Sequence, residues 1–288
     1  MKRAYALLCL ALLVPALSAR AGKVVTDSLQ SSILGAKVMF NVYLPDNYEV
    51  SSKTWPVVYL LHGLSDDYQS WARKGNMQLV ADELMGTGEA REMLIVMPNA
   101  GGPDTRNTWN GYFNMPGWRY EDFFFQEFIP FVEKKYHIIG DKGHRAVMGL
   151  SMGGGGSVVY CQRHPEMFSS CYAMSAWLDN GRDEVWPLDS PKDCLYYVAK
   201  SVRDHSALDF IDHADEETIA RLKGVRWFID CGDDDFLFDL SVALHQKMRD
   251  RGVKSELRVR NGVHNWEYWH LALRLALPFA SRSFGINN

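Results

Sequence analysis

Gly149-Leu150-Ser151-Met152-Gly153 sets a serine between two glycines in a G-x-S-x-G pattern. A serine hydroxyl is a weak nucleophile at neutral pH. It needs an imidazole to take its proton and an acid to orient that imidazole. The surroundings strengthen the pattern. The apolar run Arg145-Ala146-Val147-Met148-Gly149-Leu150 precedes it, and a helical pattern from Gly153 to His164 follows. That is the strand–turn–helix setting in which a nucleophilic serine is exposed. Side chains at 149 or 153 would crowd so tight a turn. Gly154, Gly155 and Gly156 extend the small-residue run and let the helix start lie close to the sheet. A tight turn without chemistry is the alternative reading.

In this setting the partners follow the serine in the order acid, then histidine. His164, His205, His213, His245 and His264 lie beyond Ser151 and short of the final helix. His164 ends the helix that Ser151 opens, His245 is mid-helix, and His270 lies inside the last helix. His264 sits in the loop Asn261-Gly262-Val263-His264-Asn265-Trp266 after the last strand and is the expected base. Ile229-Asp230-Cys231-Gly232-Asp233-Asp234-Asp235-Phe236 offers the acid. Asp230 belongs to the strand, while Asp233 and Asp234 suit a turn or a helix cap. Asp235, just ahead of Phe236-Leu237, is the expected acid. A helix cap is the alternative for the whole cluster, and an EF-hand calcium spacing is absent. Acyl transfer also needs donors for an oxyanion. The amide of Met152, after the nucleophile, is one. The amide of Leu64, in the loop after Tyr59-Leu60-Leu61-His62-Gly63, is the other. His62 precedes the serine and is read as shaping that loop.

Elements must hold these residues together. Val38–Leu44 alternates and reads as a strand ending at Pro45. Apolar runs at 56–61, 93–97, 145–150, 171–174 and 225–229 fit strands covered on both faces, as in a parallel sheet. Ser255–Arg260 alternates and reads as an edge strand. Helical patterns fill 121–136, with a kink at Pro130, and 153–164, 238–251 and 266–280. The alternation predicts an α/β fold with a mostly parallel central sheet and helices on both faces. Leu178–Lys223 breaks the rhythm. It is expected to be a helical and loop insertion over the active site, with a plain surface excursion as the alternative. Trp71, Trp177 and Trp186 are expected to bind substrate. Trp109, Tyr112 and Trp118 could join them, and core packing is the competing role for each.

Composition narrows the class. Hydrophobic residues make 47% and charged residues 23% of 288, ordinary values for a globular chain. With a formal charge of −4 and no basic patch, nucleic acid is not an expected partner. Lys2-Arg3, the apolar stretch Ala4–Leu17 and Ala19-Arg20-Ala21 read as a cleaved signal peptide over residues 1–21, leaving a single domain at 22–288. The apolar stretch is short for a membrane span, which takes about 20 residues. Cleavage removes three basic residues and no acid, leaving a charge of −7. A secreted or periplasmic location is expected, without membrane insertion after cleavage. Leu8 before Cys9 does not suit lipid attachment. Cys161, Cys171, Cys194 and Cys231 lack metal or redox spacing and read as free thiols, although a Cys161–Cys171 bridge is compatible with export.

Together these pieces resemble the esterase D family of α/β-hydrolases. That family includes feruloyl and acetylxylan esterases, S-formylglutathione hydrolases, small-ester esterases and antigen 85 mycolyltransferases. The matching segments are Tyr59–Gly63 with Trp71, Gly149–Gly154, His164-Pro165-Glu166-Met167-Phe168, Cys231-Gly232 through Leu237, and Gly262–Trp266 with Trp269. They span roughly residues 35 to 282. The resemblance implies a triad of Ser151, Asp235 and His264, oxyanion donors at Leu64 and Met152, and no metal or organic cofactor. The expected activity is that of an exported serine carboxylesterase on a small-molecule or polysaccharide-linked ester, first of all a feruloylated or acetylated plant polysaccharide. Alternatives are a broad small-acyl esterase, an S-formylglutathione hydrolase-like thioesterase, an acyltransferase using the same triad, and a non-catalytic carbohydrate-binding protein on the same fold.

Overall fold

The structure, a computed structural model, describes residues 21–180 and 192–285. Ten strands are present among them. β1 (Lys23–Gln30) and β2 (Lys37–Leu44) form an antiparallel hairpin. β3 (Val57–Leu61) and β4 (Leu94–Pro98) follow. β5 (Asn114–Met115) and β6 (Trp118–Arg119) make a small separate ribbon. β7 (Arg145–Leu150), β8 (Ser170–Met174), β9 (Arg226–Gly232) and β10 (Ser255–Arg260) complete the set. The main sheet has the order β1-β2-β4-β3-β7-β8-β9-β10. From β4 to β10 every neighbouring pair is parallel, and β2 runs antiparallel to both β1 and β4.

Each expected strand falls on one of these, and the expected edge strand is β10. β1 was not evident in the sequence. Its Thr26, Asp27 and Ser28 dilute the apolar signal because an edge strand buries little, and none of its residues is fully buried.

Among the described residues, ten α-helices pack around the sheet. α1 (Ser70–Arg73) and α2 (Met77–Gly86) follow β3. α3 (Tyr120–Phe123) and α4 (Ile129–Lys135) precede β7, and α5 (Met152–Arg163) leaves it. α6 (Cys194–Asp204), α7 (Ala207–His213) and α8 (Glu216–Leu222) lie between β8 and β9. α9 (Phe238–Asp250) and α10 (Trp266–Ser283) close the chain. Alternation along β3 sends Val57, Tyr59 and Leu61 to one face and Val58 and Leu60 to the other. The first face is covered by α4, α5, α7, α8 and α9, the second by α2 and α10. Burying each such side chain contributes about 1.5–3 kcal/mol.

The expected helix over 121–136 is interrupted. Phe124–Phe128 form a π turn between α3 and α4, with the Ile129 amide donating to the Phe124 carbonyl. Pro130 explains it: proline has no N–H and its ring collides with the carbonyl four residues back, so the wider turn makes room.

The described part of the expected insertion joins the layer on the first face. Ala207, Leu208, Ile211, Ile219 and Leu222 enter the same core as α5 and α9, and the Trp227 indole donates to the Leu222 carbonyl. α6 leans on the loop before β5, where Arg106 pairs with Asp193 and Trp109 packs on Tyr197. Residues 181–191, Trp186 among them, lie outside the described residues, as does most of the expected signal peptide.

Parallel pairing aligns the strand ends. Leu61 pairs with Gly149, Leu150 with Met174, Met174 with Asp230, and Arg260 with Gly232. The loops that leave β3, β7, β8, β9 and β10 therefore emerge along one edge of the sheet, where open α/β sheets bind ligands.

Candidate active site

Ser151 is the pivot between β7 and α5. Its backbone has φ 53° and ψ −119°, a conformation non-glycine residues rarely adopt and one that costs on the order of 1–3 kcal/mol. Both neighbouring glycines are needed there. A methyl group on Gly149 would lie 2.5 Å from the Gly153 carbonyl oxygen, and one on Gly153 would lie 2.5 Å from that of His62. Gly155 lets the carbonyl of Trp177 pass over the helix, at 2.0 Å from where a Cβ would stand. The strained turn is fastened on both sides: the Ser151 amide donates to Met174 and its carbonyl accepts from Trp177, each at 2.9 Å.

The three residues singled out for nucleophile, base and acid come together. The Ser151 hydroxyl lies 2.9 Å from Nε2 of His264, and Nδ1 of His264 lies 2.9 and 3.0 Å from the two Asp235 carboxylate oxygens. Because Asp235 accepts from Nδ1–H, Nε2 is left to accept the serine proton. Burial pushes the Asp235 carboxyl upward, but hydrogen bonds from His264, the Leu237 amide and Ser175 outweigh it and hold the group below its ordinary value. His264 keeps 17% of its side chain exposed. Its ring is packed between Phe236 at 4.5 Å and the edge-on Trp269 at 4.9 Å.

The loop after β3 runs against Ser151. A methyl group at Gly63, the residue before Leu64, would fall 3.5 Å from the Ser151 Cβ. Met152 opens α5, and an amide at the first helical position has no intrahelical acceptor. His62 is buried and shapes this loop. Its Nε2 accepts the Ala100 amide at 2.9 Å, so Nδ1 carries the proton and donates to the Gly63 carbonyl at 2.8 Å. Trp71 turns its ring into the core, 1% exposed, and donates to the Leu61 carbonyl at the root of the same loop. It meets Trp266, not the space above Ser151. Trp177 is buried beside the Ser151 turn.

Several supporting residues carried no sequence signal. The Asp233 carboxylate, read as a plain turn, accepts the Gly262 amide at 2.9 Å and so ties the Asp235 turn to the His264 loop. Beneath both lies Asp230, fully buried. It accepts from Tyr172 at 2.6 Å and Tyr268 at 2.5 Å, and from Arg260 at 3.1 Å. That cluster joins β8, β9, β10 and α10 under the site. A buried carboxylate survives only with such complete pairing.

Cys161, Cys171 and Cys231 are buried thiols and Cys194 is partly exposed, none of them bonded to another. No group of three or more histidine, cysteine or acidic residues among the described residues could hold a metal ion. No described helix is long and apolar enough to cross a membrane. A cavity of about 900 Å³ lined by Lys223, Arg226, His245 and Lys254 shares no residue with this cluster.

The fold and the serine turn define an α/β-hydrolase. The family model "Esterase: Putative esterase" matches residues 31–280, and the chain belongs to that family. An endo-1,4-beta-xylanase/feruloyl esterase of Xylanibacter ruminicola is 26% identical over 88% of the chain and 30% of its own length. Esterase Rv1288 of Mycobacterium tuberculosis is 30% identical over 54% of the chain and 32% of its own length. The chain thus spans about a third of these two relatives. Among solved structures, a ferulic acid esterase superposes with a TM-score of 0.89 at 49% identity, over 92% of this chain and 99% of the other.

Proposed function

We propose that the chain is a serine carboxylic ester hydrolase with Ser151 as nucleophile, His264 as general base and Asp235 as the orienting acid. The reading rests on one observation: the hydrogen-bonded line from the Ser151 hydroxyl through His264 to Asp235, with contacts of 2.9 Å at each end.

The chemistry follows from that line. Ser151 gives its proton to Nε2 of His264 as its oxygen attacks the ester carbonyl carbon. Charge develops on the carbonyl oxygen, and the amides of Leu64 and Met152 receive it; losing one such donor typically costs about 10²–10³ in rate. The carbon–oxygen bond to the alcohol breaks, and the alcohol departs with the proton from Nε2. Water then attacks the acyl-serine, gives a proton to Nε2, and the acid leaves as Ser151 regains its hydrogen. Asp235 stays ionised throughout and stabilises the charged imidazole.

The substrate proposed is a feruloylated or acetylated plant polysaccharide or a fragment of one. Similarity to the ferulic acid esterase and to the xylanase/feruloyl esterase supports the feruloyl choice. An acetyl esterase of Caldicellulosiruptor saccharolyticus, 21% identical over 81% of the chain, keeps the acetyl alternative open. Export is proposed from the basic and apolar residues at the N-terminus. The test is a panel of p-nitrophenyl acetate, methyl ferulate and acetylated xylan, with Ser151→Ala as control. Hydrolysis of methyl ferulate that vanishes in the variant is expected. Activity on short esters with none on ferulate would overturn the feruloyl choice, and a fully active variant would overturn the serine mechanism.

A further inference from the structure

Phe236 follows Asp235 in the chain and is 65% exposed. Every other phenylalanine, tyrosine and tryptophan among the described residues is buried or half-buried. The exposure is not that of a loose loop. The Leu237 amide donates to Asp235 Oδ1 at 2.9 Å, and the Phe238 amide donates to the Asp235 carbonyl at 2.9 Å. Leu237 itself is buried. The backbone on both sides of Phe236 is therefore held, and its ring stands where the turn puts it. That place is against His264, with 4.5 Å between ring centroids and a tilt of 48°. A single exposed apolar residue is ordinary on a protein surface. What sets Phe236 apart is its neighbour. Val263, 45% exposed, precedes the same histidine on the other loop.

The two rings that flank His264 differ in depth. Trp269 is buried and meets the imidazole edge-on from the core. Phe236 meets it from the solvent side. Nε2 of His264 points at Ser151, and in the proposed mechanism it returns its proton to the departing alcohol. The alcohol oxygen must then come within about 2.6–3.2 Å of Nε2. An alcohol larger than methanol extends outward from that point, and the exposed ring beside the base is the surface it meets. The acyl half lies on the other side of the carbonyl carbon. A sugar ring carries C–H groups on its faces, and an aromatic face offers them an apolar surface of negative π charge. We infer that Phe236 is a specificity-determining residue that stacks on the alcohol half of the ester, and that this half is a sugar ring. The inference rests on the proposed serine mechanism and deepens it on the leaving-group side.

A ring against an imidazole also has a plainer role, which is to keep water off His264 and limit its rotation. The two roles differ in what they depend on. Shielding of the base acts on every ester alike. Stacking acts only where the alcohol has a face to present. Esters that share an acyl group and differ in the alcohol separate the two.

Wild type, Phe236→Ala, Phe236→Leu and Phe236→Trp are assayed on methyl ferulate and on a feruloyl ester of arabinose. Methyl acetate and an acetyl ester of xylose form a second pair, so the readout does not depend on the acyl group. The quantity read is the ratio of kcat/KM for the sugar ester to that for its methyl partner. In Phe236→Ala this ratio is expected to fall about tenfold, chiefly through a higher KM for the sugar ester. Phe236→Leu keeps apolar bulk without a flat face and is expected to lose most of the ratio. Phe236→Trp is expected to retain it. Circular dichroism and melting curves confirm that each variant is folded. An unchanged ratio in the folded alanine and leucine variants would overturn the inference, whether both esters slow together or neither does. Ser151→Ala, run alongside, distinguishes the two levels. If it retains activity, the serine mechanism itself has failed; if it is inactive while the ratio holds, only the role of Phe236 has.

Discussion

Asp233 accepts the Gly262 amide at 2.9 Å, while the Asp234 amide donates back to the Gly262 carbonyl at 3.1 Å. The loops that carry Asp235 and His264 are thus hydrogen-bonded to each other as well as through those two side chains. Asp233→Ala removes one strand of that tie. It is expected to lower kcat by a few-fold to about tenfold, with a stability loss of about 0.5–1.5 kcal/mol by urea unfolding. Unchanged kcat would show that the His264 loop is positioned without it.

Asp235→Asn keeps the shape of the acid but removes its charge. An amide can offer its NH₂ to Nδ1 and so favour the tautomer whose Nε2 already carries a proton. A drop in kcat on the order of 10⁴ is expected. A loss of tenfold or less in steady-state ester hydrolysis would mean that Asp235 does not orient the base.

Gly153→Ala addresses the serine turn. Its methyl group would lie 2.5 Å from the His62 oxygen and 2.7 Å from the Leu61 carbonyl, both backbone atoms that cannot swing away. Overpacking of this kind costs about 1–3 kcal/mol. Because the displaced atoms belong to the loop proposed to hold the oxyanion, activity is expected to fall roughly 10²-fold. A folded variant with wild-type melting temperature and activity would contradict the packing described.

His62 gives stability a pH dependence. Burial, the largest influence, holds its pKa below the ordinary value, against a smaller upward pull from the Gly63 carbonyl. The unfolded chain takes up a proton near pH 6.5, whereas the folded protein does so only at lower pH. Between those points the unfolded state binds more protons, so stability falls as pH drops. The contribution is present above about pH 6.5 and is lost as pH falls toward the folded value. Urea midpoints measured from pH 7.5 to 5 should decline less steeply in His62→Gln than in the wild type. Equal slopes would show that His62 is not the group responsible.

Local pattern made part of this legible. Gly149 to Gly153 announces a strained strand-to-helix turn, and the parallel strands follow from short runs apolar on both faces. His264 stood out because it occupies a loop where the other late histidines occupy helices or their ends. Burial was less readable. Trp71 is as large and as apolar as an exposed platform residue, and only the path of β3 shows that its indole serves the Leu61 carbonyl. Asp233 looked like any turn aspartate because its acceptor role depends on Gly262, 29 residues away. Residues that act through long-range contacts escape a reading built on spacing.

An activated serine at 151 is read out by a covalent label. The folded wild type is incubated with a fluorophosphonate, digested, and its peptides are weighed by mass spectrometry. One adduct on the peptide that contains Ser151 is expected, absent in Ser151→Ala and strongly slowed in His264→Ala. A folded wild type with no adduct at Ser151, or one whose labelling is indifferent to His264, would contradict the account.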